Sequence, residues 1–131
     1  MNHSFDSVNN ILTHHPLKAL FNTHIRDYDS GRVVLELKTL DQFADIRRLR
    51  GTFGCIVDCL ACIAGRDSIG DCSVSEYEIN FHSSSFSHEL VASASIEYSN
   101  TQCATYSCSI YAKEDSQNRL IAESQGTLFK N

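Results

Sequence analysis

Apolar and polar side chains alternate through most of the second half of the chain. In four segments after residue 75 an apolar residue stands at every second position, with mostly polar residues between. A period of two is typical of antiparallel strands that pack one face on a core and leave the other face wetter. The pattern therefore predicts four consecutive strands. Their apolar positions are Tyr77, Ile79 and Phe81; Leu90, Ala92, Ala94, Ile96 and Tyr98; Ala104, Tyr106, Cys108, Ile110 and Ala112; and Leu120, Ala122 and Leu128.

A hairpin is predicted in the first third of the chain. Two segments of strand-like composition, residues 19–28 and 32–40, flank the turn Asp29-Ser30-Gly31. Glycine tolerates the positive φ that such turns require, so we expect the two strands to pair directly across it.

The N-terminal segment carries little pattern. Residues 1–10 are expected to be frayed, and residues 11–21 favour a short helix before or across Pro16, the only proline of the chain. His14 and His15 precede this proline. Adjacent histidines can bind a metal ion, but in a polar segment they are more often solvated, and we expect them to be solvated here.

Between the two groups of strands lies a stretch that is apolar or small on every side. Gly51–Arg66 would form a helix of roughly 22 Å, about the width of a small domain. Between Thr52 and Arg66 the only charged side chain is Asp58. A helix without a polar face is buried all round, and this one is too short and too interrupted to span a bilayer. We expect a core helix with the strands arranged around it.

Asp58 is therefore the most informative residue of the chain. A carboxylate in apolar surroundings costs free energy unless it is paired, hydrogen-bonded or neutralised, or unless a cleft reaches it. One interpretation is a structural aspartate satisfied by backbone N–H groups or by a nearby arginine. The other is a catalytic or ligand-positioning carboxylate, since perturbed carboxylates concentrate at functional sites. The residues alone leave both open.

Length, composition and charge narrow the class of protein. The 131 residues, 42% of them hydrophobic, suit a single domain spanning residues 1–131. The net charge of −5 argues against a general nucleic-acid binder, which needs a basic face. Residues 1–15 lack the apolar run of a signal peptide, and no transmembrane segment follows. We expect a soluble, cytoplasmic protein.

The six cysteines are expected to be reduced. Three of them lie in the apolar helix and no export signal is visible, so they are interpreted as small core residues. Cys59 and Cys62 form a C-x-x-C pair, but redox pairs of this kind stand at the start of a helix after a strand. The second Cys or His pair that a zinc site requires is missing. We therefore expect no metal and no cofactor.

The order of strands and helix, with residues near the start of the helix, resembles the hotdog fold. More narrowly it resembles the phenylacetate-pathway and related acyl-CoA thioesterases. In that family a Gly-x-x-His-Gly-Gly loop opens the central helix, and an acidic residue follows inside it. Counted back from Asp58, the His-Gly-Gly positions fall on Leu49, Arg50 and Gly51. Two later segments also resemble strands of the family: residues 78–82 and residues 120–127.

This resemblance implies an α+β hotdog fold, a curved antiparallel sheet of about six strands wrapped around one long central helix. It also implies hydrolysis of an acyl-CoA or acyl-carrier-protein thioester to the free acid and the thiol. Asp58 would act as general base on water or as nucleophile. Backbone N–H groups near Arg50 and Gly51, at the N-terminus of the helix, would stabilise the oxyanion.

The resemblance further implies which residues surround the substrate. Arg47, Arg48 or Arg50 would hold the phosphates of coenzyme A, because guanidinium groups bind phosphate with paired hydrogen bonds. Leu49 would adjoin the substrate beside them. Small residues along the helix, Gly54 among them, would leave room for an acyl chain.

A hydroxyl and a second subunit would complete the implied site. The hydroxyl would belong to Ser73 or Ser75, the serines nearest to the family's Ser/Thr position on the following strand. Family sites lie between subunits, so a homodimer or homotetramer is implied.

Two departures from the family motif favour an alternative function. The family's His is Leu49 here and its first Gly is Arg50, so only the second Gly is kept. The alternative is a non-catalytic hotdog domain that binds an acyl thioester or a protein partner. A hydratase or dehydratase on the same fold ranks last, because the acid–histidine pair of such enzymes is missing near the helix.

Overall fold

Six antiparallel strands form one sheet in the computed structural model, which describes residues 3–39, 46–83, 88–115 and 117–131. The strands are β1 Phe21–Asp29, β2 Arg32–Thr39, β3 Cys72–Phe81, β4 Glu89–Ser99, β5 Cys103–Lys113 and β6 Asn118–Lys130. They lie side by side in the order β1-β2-β4-β5-β6-β3, so β1 and β3 form the edges. All six predicted strands are thereby confirmed.

The predicted hairpin joins β1 to β2. Phe21 pairs with Thr39 at its open end and Asp29 pairs with Arg32 beside the turn. Gly31 adopts a φ of 78°, a conformation that glycine reaches without the steric cost other residues meet.

The predicted central helix is present as α2 (Ile46–Ile69) and contacts every strand from β2 to β6. It begins five residues before the expected start at Gly51, because residues 46–50 are good helix formers without proline or glycine. It ends at Ile69, and the φ of 79° at the following Gly70 is that of a helix C-cap glycine. The predicted architecture, an antiparallel sheet around one long helix, is confirmed.

The expectation of a frayed N-terminus is wrong. Residues His3–His14 form helix α1, and a short 3₁₀-helix follows at Pro16–Ala19. Val8 and Leu12, one helical turn apart, are buried in the core together with Leu17. Both helical segments contact α2. These contacts with a segment distant in sequence stabilise α1 and the 3₁₀-helix, whose own residues carry only a weak helical pattern.

The core lies between α2 and the inner face of the sheet. Strand β5 shows the predicted alternation, with each inward residue buried and each outward residue partly exposed. Within the ranges that the structure describes, no helix has the length and apolar character needed to cross a membrane. Fully buried helix residues include Phe53, Ile56, Val57, Leu60 and Ile63.

Edge strand β3 contains a β-bulge, which determines which of its side chains face the core. The register with β6 shifts between Val74 and Glu76, so Ser75 is the extra residue. Beyond the bulge Phe81 faces α2, where its ring centroid lies 5.4 Å from that of Phe53. Because side chains alternate along a strand, Tyr77 shares this inward face.

Candidate active site

Asp58 lies on a face of α2 that the fold leaves partly open. Gly51, Cys55, Asp58 and Cys62, called the open stripe here, recur every three or four residues and are exposed or half-buried. The Asp58 side chain is 48% exposed. The expectation that the helix is buried all round is wrong along this stripe, because the sheet packs on the other faces of the helix.

The side chain bound to Asp58 is that of His15. The imidazole Nε2 lies 2.7 Å from Asp58 Oδ2, and the His15 side chain is only 14% exposed. Its other nitrogen, Nδ1, accepts a hydrogen bond from the backbone N–H of Leu17 at 3.0 Å. In neutral His15 the proton therefore resides on Nε2, which donates to Asp58. The expectation that His15 is solvated is wrong.

The break between α1 and the 3₁₀-helix places His15 in this position. His15 caps the 3₁₀-helix with extended backbone angles, φ −77° and ψ 143°. Such angles are favoured for the residue before a proline, and Pro16 has no N–H that would need an acceptor. Sequence analysis missed His15 as a site residue; the available signal was a histidine directly before the proline that ends a helix.

This contact shows which group forms a hydrogen bond to the Asp58 carboxylate. In the described part of the chain its partner is an imidazole rather than a guanidinium, and the carboxylate is not sealed from solvent. With Oδ2 held by His15 and the side chain half exposed, the carboxylate can reach water or a ligand.

The thiols beside Asp58 are held protonated. Cys55 Sγ lies 4.0 Å from His15 Nδ1, and burial together with the charge of Asp58 raises the pKa of Cys55. Burial, with Asp58 and Cys55 adding to it, raises the pKa of Cys59 to about 12. All six cysteines are free thiols. Because the thiolate is the nucleophile, Cys55 and Cys59 are poorly suited to attack a thioester at neutral pH.

Tyr77 occupies the space beside Gly54 in which an acyl chain was expected. A Cβ built on Gly54 would lie 2.7 Å from the Tyr77 hydroxyl oxygen. Tyr77 belongs to edge strand β3 and is 49% exposed. Sequence analysis counted it only as an apolar strand position; the signal it left unused was a glycine inside a helix, which usually has a packing reason.

Neither predicted serine donates its hydroxyl to Asp58 in the structure. Ser73 donates its hydroxyl to the side chain of Asn131 at 2.7 Å. Ser75, the bulge residue, donates to the carbonyl oxygen of Thr127 at 3.1 Å. Between them Val74 packs on the core, so the side chain of Ser73 points to the opposite face of the sheet.

The start of α2 differs from the predicted oxyanion site. Arg50 and Gly51 lie in the fifth and sixth positions of the helix, beyond the four residues whose N–H groups lack an acceptor within it. Asp58 lies about 18 Å along the helix axis from Ile46. One thioester carbonyl cannot contact both the helix start and Asp58 of the same chain.

The basic residues expected to bind phosphate also belong to α2. Arg47, Arg48, Leu49 and Arg50 lie in its first turns, but their side chains fall outside the described part of the structure. Their role as substrate-binding residues therefore stays a prediction.

A separate groove of about 420 Å³ is lined by residues of β3, β4, β5 and β6 and includes neither His15 nor Asp58. Its lining includes the side chains of three glutamates, Glu76, Glu78 and Glu97. Carboxylates repel the phosphates of coenzyme A, so the groove does not suit that ligand.

The fold is shared with solved thioesterase-superfamily proteins, although no protein-family model and no curated protein matches the chain. A thioesterase family protein from Silicibacter pomeroyi is 17% identical over 96% of each chain, with a TM-score of 0.83. The Escherichia coli PaaI protein from the phenylacetic acid degradation operon is 18% identical over 98% of this chain and 93% of its own, with a TM-score of 0.82. A hypothetical thioesterase protein with coenzyme A from Streptococcus pneumoniae is 13% identical over 95% of this chain and 96% of its own, with a TM-score of 0.77. At these identities the likeness shows the hotdog fold.

Proposed function

We propose that the protein hydrolyses an acyl-CoA or acyl-carrier-protein thioester to the free acid and the thiol, with Asp58 as the reacting carboxylate. The observation that carries the proposal is the half-exposed Asp58 side chain, held at one oxygen by His15 in the middle of α2. The similar structure from Streptococcus pneumoniae, a hypothetical thioesterase with coenzyme A, supports the substrate class.

Asp58 serves the reaction as general base or as nucleophile. As base it takes a proton from water while that water attacks the thioester carbonyl; the C–S bond then breaks and the sulfur leaves as a thiol after protonation. As nucleophile it attacks the thioester carbonyl, and the C–S bond breaks so that the sulfur leaves as a thiolate, which solvent protonates, and a mixed anhydride remains. Water then hydrolyses the anhydride, which releases the free acid and regenerates the Asp58 carboxylate. Both routes need a carboxylate that solvent and substrate can reach.

The oxyanion site is proposed to come from a second copy of the chain. Asp58 lies about 18 Å along the axis from the first residue of α2, too far for both to act on one carbonyl. The N-terminus of α2 from a second protomer supplies the N–H groups of its first turn and a partial positive charge to the oxyanion. The free edge of β3 and the open stripe are surfaces on which a homodimer or homotetramer can assemble.

Coenzyme A is proposed to bind through the basic start of α2. Arg47, Arg48 and Arg50 bring three positive charges to the helix N-terminus, where the helix dipole also favours phosphate. Leu49 borders the acyl portion of the substrate, and Tyr77, which fills the space beside Gly54, replaces Gly54 as the residue that faces the acyl chain there.

A panel of acyl-CoAs tests the proposal by the release of free thiol. We expect Asp58→Asn to lower kcat by about 10²–10⁴-fold, the usual contribution of an acid–base group. The matched control is Asp67→Asn, because Asp67 is also in α2 but is exposed and accepts a hydrogen bond from Tyr28 at 2.6 Å. Unchanged turnover in folded Asp58→Asn would overturn the proposal, and binding without thiol release would favour the non-catalytic domain.

A further inference from the structure

We propose that His15 is the positioning residue of Asp58: its Nε2–H holds Oδ2 and thereby presents Oδ1 to the attacking water or to the thioester. This inference rests on the proposed hydrolysis by Asp58. It makes the N-terminal segment part of the site, although that segment lies 43 residues before Asp58 in sequence.

The geometry gives His15 a single role. Nδ1 is occupied by the N–H of Leu17 at 3.0 Å, so its lone pair is not free to accept a proton from the reaction. Nε2 is the donor to Asp58 at 2.7 Å. His15 therefore acts as a fixed donor and not as a proton relay. The proton that Asp58 takes from water stays on Asp58 until solvent or the leaving thiolate receives it.

The difference in exposure shows which partner is the anchor. The His15 side chain is 14% exposed and the Asp58 side chain 48% exposed. A carboxylate half in water has more than one accessible rotamer, and a buried donor selects one of them. Holding a reacting group in the productive geometry is a recognised contribution to rate.

A purely structural role for His15 is the rival explanation. His15 caps the 3₁₀-helix that carries buried Leu17, so its removal can disturb the fold without touching the chemistry. Two substitutions separate the roles, because each keeps one of the two hydrogen bonds. His15→Asn places an oxygen near the position of Nδ1, which preserves the cap, but it is too short to reach Asp58. His15→Gln places an amide near the position of Nε2, which preserves the donor to Asp58, but it loses the cap.

The experiment measures kcat, KM and thermal unfolding for both variants. We expect His15→Asn to keep wild-type stability while kcat falls by about 10- to 100-fold, as for the loss of a hydrogen bond to a charged group. KM should stay within about threefold, because the lost contact does not touch the substrate. His15→Gln should unfold at a lower temperature yet keep most of kcat. In the Asp58→Asn background, His15→Asn should have no further effect on the rate.

Three outcomes overturn the inference. They are an unchanged kcat in His15→Asn, an equal loss of kcat in His15→Gln, and additive losses of His15→Asn and Asp58→Asn. All three leave thioester hydrolysis by Asp58 in place. Failure of the proposed function looks different, because the wild-type protein itself then releases no thiol from any acyl-CoA, and the role of His15 falls with it.

Discussion

The hydroxyl of Tyr77 lies against Gly54, 2.7 Å from the point that a Cβ on that residue would occupy. The contact joins the edge strand β3 to α2 about one turn before Asp58. Glycine inside a helix costs roughly 1 kcal/mol relative to alanine, so its presence in α2 needs a reason of this kind. The pair therefore links the sheet edge to the candidate active site.

We expect Gly54→Ala to change stability by an amount that depends on residue 77. In the Tyr77→Phe background the nearest remaining ring atom lies 3.6 Å from the new Cβ, an ordinary contact. Alanine should then raise the free energy of unfolding by about 1 kcal/mol. With Tyr77 present the hydroxyl must move, so the gain should shrink or become a loss. Urea unfolding of the four proteins measures the coupling.

Gly51→Ala is the matched control for this cycle. Gly51 is also in α2, and a Cβ there meets no atom of the described residues within 4 Å. Its substitution should stabilise the protein by the same amount whether residue 77 is Tyr or Phe. Equal gains from Gly54→Ala in both backgrounds would show that the hydroxyl does not press on the helix.

Asp58→Asn is expected to make the thiol of Cys55 more reactive. Burial raises the pKa of Cys55 and the charge of Asp58 raises it further, so removal of the charge lowers the pKa. A lower pKa gives a larger thiolate fraction, and the thiolate is the form that reacts with iodoacetamide. The rate of Cys55 alkylation is measured by peptide mass spectrometry between about pH 7 and 10. In Asp58→Asn the rise of this rate with pH should occur at a lower pH than in the wild-type protein.

Asp67→Asn serves as the control for the alkylation experiment. It removes a carboxylate from the same helix that does not contribute to the pKa of Cys55. The rate profile of Cys55 should then match that of the wild-type protein. A wild-type profile in Asp58→Asn would mean that the charge of Asp58 does not reach the thiol.

Tyr28 is expected to make the protein less stable at alkaline pH. Burial, and the hydrogen bond that Tyr28 donates to Asp67, raise the pKa of Tyr28 from 10.0 to about 12. The folded state thus holds the proton more tightly than the unfolded state does. The resulting stabilisation is complete below about pH 10 and is lost as the pH rises towards about 12.

Comparison with Tyr28→Phe isolates this effect, because phenylalanine does not ionise. The free energy of unfolding in urea should fall more steeply for the wild-type protein than for Tyr28→Phe across that interval. Asp67→Asn, which removes the charged acceptor, should give an intermediate slope. Parallel curves for wild type and Tyr28→Phe would contradict the raised pKa.

The strands and the central helix were predictable because their signals are local. Alternation on β5 reports burial on one face of a sheet, and that face is the one the structure buries. A short helix was expected before or across Pro16, but the part of helix α1 before residue 11 was missed. The burial of α1 rests on a few apolar residues, chiefly Val8 and Leu12, which are stabilised by contacts with distant segments.

The candidate site was predictable only in part. Asp58 stood out as the lone charge in an apolar stretch, and the structure places it at an accessible position, although the burial expected of it is wrong. The serines at 73 and 75 were expected to supply a hydroxyl, but a bulge and the alternation of side chains direct their hydroxyls to other partners. A bulge adds one residue without a composition signal, so register is decided by the sheet.

The sequence alone determined the order of strands and helix, the turn at Gly31 and the choice of Asp58 as the candidate carboxylate, because each depends on neighbours a few residues away. Tertiary structure alone decided that His15 binds Asp58, that Tyr77 covers Gly54, and that one face of α2 stays open. These contacts join segments far apart in the chain, and their geometry depends on how the whole sheet packs against the helix. Periodicity in a sequence carries no information about such distances.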